Sequence, residues 1–333
     1  MERFFNIMKR IVGTFMLPVT IYVIMYILTH ANGKVYFGTV EMWKTLILNI
    51  GVSVTCALGI GLQFKSGRFD FSGGAIMLLS GIISTNFAKE FGNNLIIFIV
   101  LTMVGTLVFS VLVSILYVYG RIPVVITTIG MALLLESITA IIFKGSGINI
   151  VANAKLKVFS TYPIILIPLI LSIIIYWAYS YITVTGKQSM LLAKNQNAAV
   201  NIGINEKKNV IISYIYSGLI FGCATLIYSG TALQRASFSS LTTVGALFSN
   251  ILPVFIGLML IGFCGDTIGI IMGSITLSIL SYGLKAVFQE EMGAAVTVVC
   301  TAIFILVINV ASAKGGTLMA KIRNLFIRKK TIA

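Results

Sequence analysis

Two acids stand in an otherwise apolar chain where they are expensive to keep. Glu136 lies in "RIPVVITTIGMALLLESITAIIF" (Arg121 to Phe143), two turns beyond the small polar groups Thr127, Thr128 and Gly130. Asp70 lies in "KSGRFDFSGGAIMLLSG" (Lys65 to Gly81), a polar, glycine-rich break between two apolar runs, next to Ser72. A carboxylate inside a membrane can relay protons, hold a coupling cation or line a solute path, and otherwise it must be paired. Glu136 therefore either lines an aqueous cavity or pairs with a cation such as Lys285. Asp70 or Ser72 is placed to cap a helix beginning near Gly73. That helix is either half of a broken span beside a translocation path or an ordinary helix after a turn, because irregular backbone at membrane depth persists only when packed or lining a cavity.

No other constellation supplies chemistry. The chain has no G-x-x-x-x-G-K-[ST], H-E-x-x-H or G-x-S-x-G stretch, so phosphate cradling, zinc hydrolysis and serine catalysis lack their residues. Cys56, Cys223, Cys264 and Cys300 are scattered through apolar segments without a C-x-x-C, and His30 is the lone histidine. The cysteines read as small core residues, and His30 stands at the edge of the first span with nothing of ligand spacing around it, so no catalytic or metal site and no cofactor bound by this chain is expected.

The elements that must position the acids follow from composition. Of 333 residues, 58% are hydrophobic and 10% charged, against about 25% charged in soluble domains. Apolar runs of about 20 residues are long enough to cross a bilayer as helices. The fold class is all-α: a polytopic membrane protein forming a single domain over 1–333, with ten spans near 11–29, 45–64, 72–88, 95–119, 123–143, 162–182, 210–229, 251–263, 268–287 and 294–312. The eighth is too short to cross alone unless it is tilted, broken or extended into 244–250. Two five-helix halves flank a polar segment at 183–209. An inverted repeat with an odd number of spans per half is compatible with that layout.

Net charge is +15, from 24 Lys and Arg against 9 Asp and Glu. Arg3, Lys9, Arg10, Lys65, Arg68, Arg121, Lys187, Lys194, Lys207, Lys208, Lys314 and the basic tail "KIRNLFIRKK" fall on one side of the predicted topology, against Lys34, Lys44, Lys89, Lys144, Lys155, Lys157 and Arg235 on the other. The positive-inside rule places that side, both termini and the polar segment in the cytoplasm. The excess charge then meets anionic lipid and not nucleic acid.

Three motifs resemble the permease subunits of bacterial ATP-binding-cassette importers, in the branch serving ribose-type sugars, related solutes and branched-chain amino acids. Gly67, Asp70, Ser72 and Gly74 match that family's Gly-Gly-Ile-Asp-Leu-Ser-x-Gly. Thr128, Gly130 and Met131 match its Ala-Thr-Leu-Gly-Met. In "GKQSMLLAKNQNAAVNIGINEKKN", Gly186, Lys187, Asn195, Ala198, Ala199, Gly203 and Ile204 fall in register with its Gly-Arg, Asn, Ala-Ala and Gly-Ile. The resemblance implies that these seven residues form short helices docking on a cytoplasmic ATPase, which uses ATP-Mg. It also implies a second permease chain, identical or different, and an extracytoplasmic solute-binding protein, all at the bacterial inner membrane. Asn49, Gln63, Asp70, Ser72, Thr128 and Glu136 are then candidates to line the path of a small polar solute such as a monosaccharide. The chain departs from the family pattern at Arg68, at Gly73, at Glu136 (usually Arg) and in "FIGLMLIGFCGD", which lacks a doubled glycine. The rival reading is an ion-coupled secondary transporter in which Glu136 and Asp70 titrate.

Overall fold

The computed structural model describes residues 2–34, 36–238 and 240–288, together with 295, 296, 299, 302 and 303. The tenth expected span, Cys300 and the basic tail therefore lie outside the described residues, wholly or in large part. Eleven α-helices order the described chain: α1 Glu2–Ala31, α2 Val40–Lys65, α3 Gly73–Glu90, α4 Leu95–Gly120, α5 Val124–Ile141, α6 Leu166–Trp177, α7 Val184–Lys194, α8 Gln196–Asn201, α9 Glu206–Tyr228, α10 Thr242–Met259 and α11 Asp266–Val287. No strand occurs among them; one antiparallel bridge joins Ile148 to Gln234.

Seven helices are individually long and apolar enough to span, and α6 with α7 forms a further pair bent by 69°. Polar side chains start the helices where their amides need acceptors. Thr39 accepts from Met42 N, Asn94 from Ile96 N and Asn205 from Lys208 N. The eighth span begins at Thr242, so it is the extended option that holds.

α2 and α9 pack against each other at the centre. α2 packs on α11 as α9 packs on α4, α3 on α4 as α10 on α11, and α10 on α2 as α3 on α9. Exchanging the second span with the seventh, the third with the eighth and the fourth with the ninth maps these pairings onto one another. That is the contact pattern of an inverted repeat.

Small residues make the central crossings possible. A Cβ on Gly59 would lie 2.6 Å from the Phe221 ring, and one on Gly73 would lie 2.4 Å from it. Residues of α2, α3 and α9 thus converge on one aromatic plate partway along α9. α3 consequently starts inside the bundle, not at its rim. A Cβ on Gly74 would lie 2.6 Å from the Thr243 carbonyl oxygen, so the N-termini of α3 and α10 meet there. The two ends of the molecule can be told apart. The face carrying residues 183–209, the segment face, also holds the ends of α2 and α10 and the start of α11. Arg10 donates to the Phe263 carbonyl at 3.1 Å, which puts the start of α1 on the same face.

Candidate functional site

On the segment face, the helix carrying Tyr176 widens into a π turn over Ala178–Ile182 before the chain bends into α7. Such turns recur at functional positions. Thr183 caps α7 by accepting from Gly186 N at 3.0 Å. A Cβ on Gly186 would stand 1.9 Å from the Tyr179 carbonyl oxygen, so the joint closes only around glycine. Gly186→Ala should force α6 and α7 apart and destabilise the chain by about 1–3 kcal/mol. Thermal unfolding of the purified protein measures this, and an unchanged midpoint would contradict the packing.

Asn195 opens α8 by accepting from Ala198 N at 3.1 Å. Gly203 has φ +93° and donates to Val200 O, while Ile204 N donates to Ala199 O at 3.2 Å. This is the paired-bond helix stop in which a left-handed glycine is followed by an apolar residue packed back on the helix. Ile204, Ala199 and Leu192 form that small core. The two adjacent alanines therefore differ: Ala199 is buried and Ala198 is exposed. Lys187, Lys194, Lys207 and Lys208 are exposed around them. α7 is tied to α9 through Ser189, which donates to Asn209 Oδ1 at 2.8 Å, and Asn209, which donates to the Thr185 carbonyl at 2.9 Å.

Gln63, Asp70, Ser72 and Thr128 come together at the α2–α3 break, all buried. Asp70 Oδ1 accepts from Ser72 N at 2.8 Å and Ser72 Oγ at 2.6 Å, which places its negative charge at the start of α3. Arg68 is itself 6% exposed. It donates to Gln63 Oε1 at 3.1 Å and Ser213 Oγ at 2.8 Å, tying the break to α9. Thr128 lies beside the Phe69 carbonyl. Asn49 stands apart, exposed on α2.

Glu136 is fully buried. Its carboxylate accepts from Leu241 N and Thr243 N, both at 2.9 Å, and from the Thr243 hydroxyl. Its partners are thus the first amides of α10, and not Lys285. Each of the two meeting helix N-termini carries a buried carboxylate, Asp70 at α3 and Glu136 at α10. A helix N-terminus stabilises negative charge, which explains how both acids are kept inside the protein.

A cavity of about 230 Å³ opens beside this meeting point. Val52, Cys56, Met77 and Leu247 give it apolar walls, and Tyr228, Gln234, Arg235, Thr242, Thr243 and Asn250 supply polar groups. Sequence reasoning did not reach these six polar residues. Asn250 within an apolar helix was the available signal; Gln234 and Arg235 sit in an irregular stretch whose path only the fold shows. None of the described residues forms a His, Cys, Asp or Glu cluster suited to a metal ion.

A family model described as branched-chain amino acid transport system / permease component matches residues 42–308. The chain is 22% identical over 283 residues to the fructose import permease protein FruG of Bifidobacterium longum, covering 80% of this chain and 82% of that one. It is 24% identical over 258 residues to the ribose import permease protein RbsC of Escherichia coli strain K12, covering 75% and 79%. It is 26% identical over 190 residues to the galactofuranose transporter permease protein YtfT of the same strain, covering 54% of each. No solved structure matches.

Proposed function

Since the chain belongs to the branched-chain amino acid transport system / permease component family, it is a permease subunit of an ATP-binding-cassette importer, and we propose that its solute is a monosaccharide or similar small polyol. The solute crosses the bacterial inner membrane by alternating access between this chain and a second permease chain. A solute-binding protein delivers it from outside, and ATPase subunits grip the 183–209 segment from the cytoplasm. ATP-Mg is consumed by those subunits and by no residue of this chain. The observation that carries the reading is the architecture of that segment: two short capped helices present Ala198 among exposed lysines, joined to the spans through a π turn and α9.

The sugar assignment draws on the relatives' named solutes and on the cavity. Its hydroxyl, amide and guanidinium groups suit a polyhydroxylated molecule, and its volume is below the roughly 300–1,000 Å³ typical of drug-sized sites. Ion coupling through Glu136 fits less well, because that carboxylate is committed to the amides of α10. Uptake by proteoliposomes holding the permease, its ATPase and its binding protein tests the proposal. Uptake should require ATP inside the cytoplasmic-side compartment and survive an ionophore. Uptake that persists without ATP and stops with the ionophore would favour the ion-coupled carrier.

A further inference from the structure

Asp266 opens α11 and is 7% exposed, and four donors are directed at its carboxylate. Lys65, from the end of α2, forms an ion pair with Oδ2. Tyr176 of α6 donates to the same oxygen at 3.3 Å. Tyr181, from the π turn, donates to Oδ1, as does Thr267 N at 3.0 Å. One carboxylate thus fastens α2, α6 and α11 together, and Tyr181 is three residues from the start of α7.

A second cavity, of about 340 Å³, lies beside this knot. Met190, Ala193 and Lys194 of α7 form one wall, Val254, Leu258 and Ile270 of α10 and α11 another, and Lys65, Tyr176 and Asp266 also line it. α7 therefore has open space between itself and α10 and α11, although Ala193 packs close to Gly67 just past the end of α2. Its polar fastenings run elsewhere: to α9 through Asn209, and to α2 and α11 through the π turn and Asp266.

We infer that Asp266 is the positioning residue through which displacement of the 183–209 segment is passed to α2 and α11. The inference rests on the reading that an ATPase grips that segment. Pushing α7 toward the cavity meets little packed resistance there. The load instead travels through Tyr181 and Tyr176 to the carboxylate, and from it to Lys65 and the first turn of α11. Because α2 packs on α9 and α10, a shift of α2 also reaches the meeting point of the two half-helices. Hydrogen-bond and ion-pair networks joined to rigid helices are a physical carrier of coupling between distant sites.

The test uses the complete reconstituted complex and measures solute transported per ATP hydrolysed. Asp266→Asn removes the charge that holds Lys65, and should lower that ratio about tenfold while hydrolysis continues, within the range of site-to-site coupling energies. Tyr181→Phe removes one hydroxyl from a half-exposed ring, leaves folding intact, and should lower the ratio a few-fold. Asp266→Glu keeps the charge and should recover most of the loss. The inference is overturned if both Asp266→Asn and Tyr181→Phe transport as much per ATP as the unaltered protein. It is equally overturned if transport and hydrolysis fall together in proportion to the amount of assembled complex, as a purely structural knot requires. Failure of the unaltered complex to couple ATP to uptake would instead remove the functional reading on which the inference stands.

Discussion

Placing an acid at Ala198 should cut ATP-driven uptake by at least about tenfold, equivalent to about 1.4 kcal/mol of lost docking or coupling energy, while the permease stays folded in the membrane. Ala198 is exposed on a six-residue helix whose stability comes from elsewhere: the Asn195 cap and the Gly203–Ile204 stop. An aspartate there disturbs neither. It does place a negative charge, and a larger side chain, where the proposed ATPase contact needs close approach and where the surrounding exposed lysines favour an acidic partner surface. Ala199→Asp separates this effect from misfolding. Ala199 is 3% exposed against Leu192 and Ile204, so its aspartate would bury an unpaired charge at a cost of several kcal/mol. The expected pattern is normal yield and thermal stability with failed co-purification of the ATPase for Ala198→Asp, and poor yield for Ala199→Asp. Normal uptake by Ala198→Asp would remove the docking assignment.

Truncating Glu136 to Ala should destabilise the protein by about 3 kcal/mol or more, since each hydrogen bond to a buried charged group contributes roughly 1.5–3 kcal/mol and its loss strands the donor. Two backbone amides and a hydroxyl at the start of α10 would lose their acceptor together. One of those amides belongs to Leu241, which has φ +56°, a left-handed conformation that costs about 1–2 kcal/mol in an L-residue. The Glu136 bond helps hold it. Glu136→Gln keeps the shape but can offer only one acceptor oxygen and must turn an NH₂ toward an N–H, so about half the loss should remain. Thermal unfolding in detergent measures both. Because Thr243 also lines the central cavity, uptake should fall along with stability. A Glu136→Gln protein of unchanged stability but altered solute preference would show that the carboxylate serves the solute and not the helix.

Much was legible from the chain alone. Nine of the ten spans expected from hydropathy fall on described helices, and the three motifs are visible in the residues themselves. The polar segment is recognisable because lysines and amides cannot sit in hydrocarbon, and its Gly203 permits a sharp turn. These are local signals, set by neighbours within a few residues. The sequence could equally show that Glu136 and Asp70 were costly, since burial of a carboxylate is penalised wherever it happens.

What the sequence could not decide was who answers those costs. The acceptor role of Glu136 depends on amides more than 100 residues away, and Asp266 is held by Lys65, 201 residues distant. Arg68 looked like a departure from a glycine pattern, and became a tie to Ser213 only once α2 and α9 were side by side. The two alanines of the segment were indistinguishable until the helix stop turned one inward. Partner choice over such separations follows from how whole helices cross, and crossings are fixed by small-residue contacts such as Gly74 against Thr243. Hydropathy determines that a helix crosses the membrane; tertiary packing alone determines which polar group it meets there.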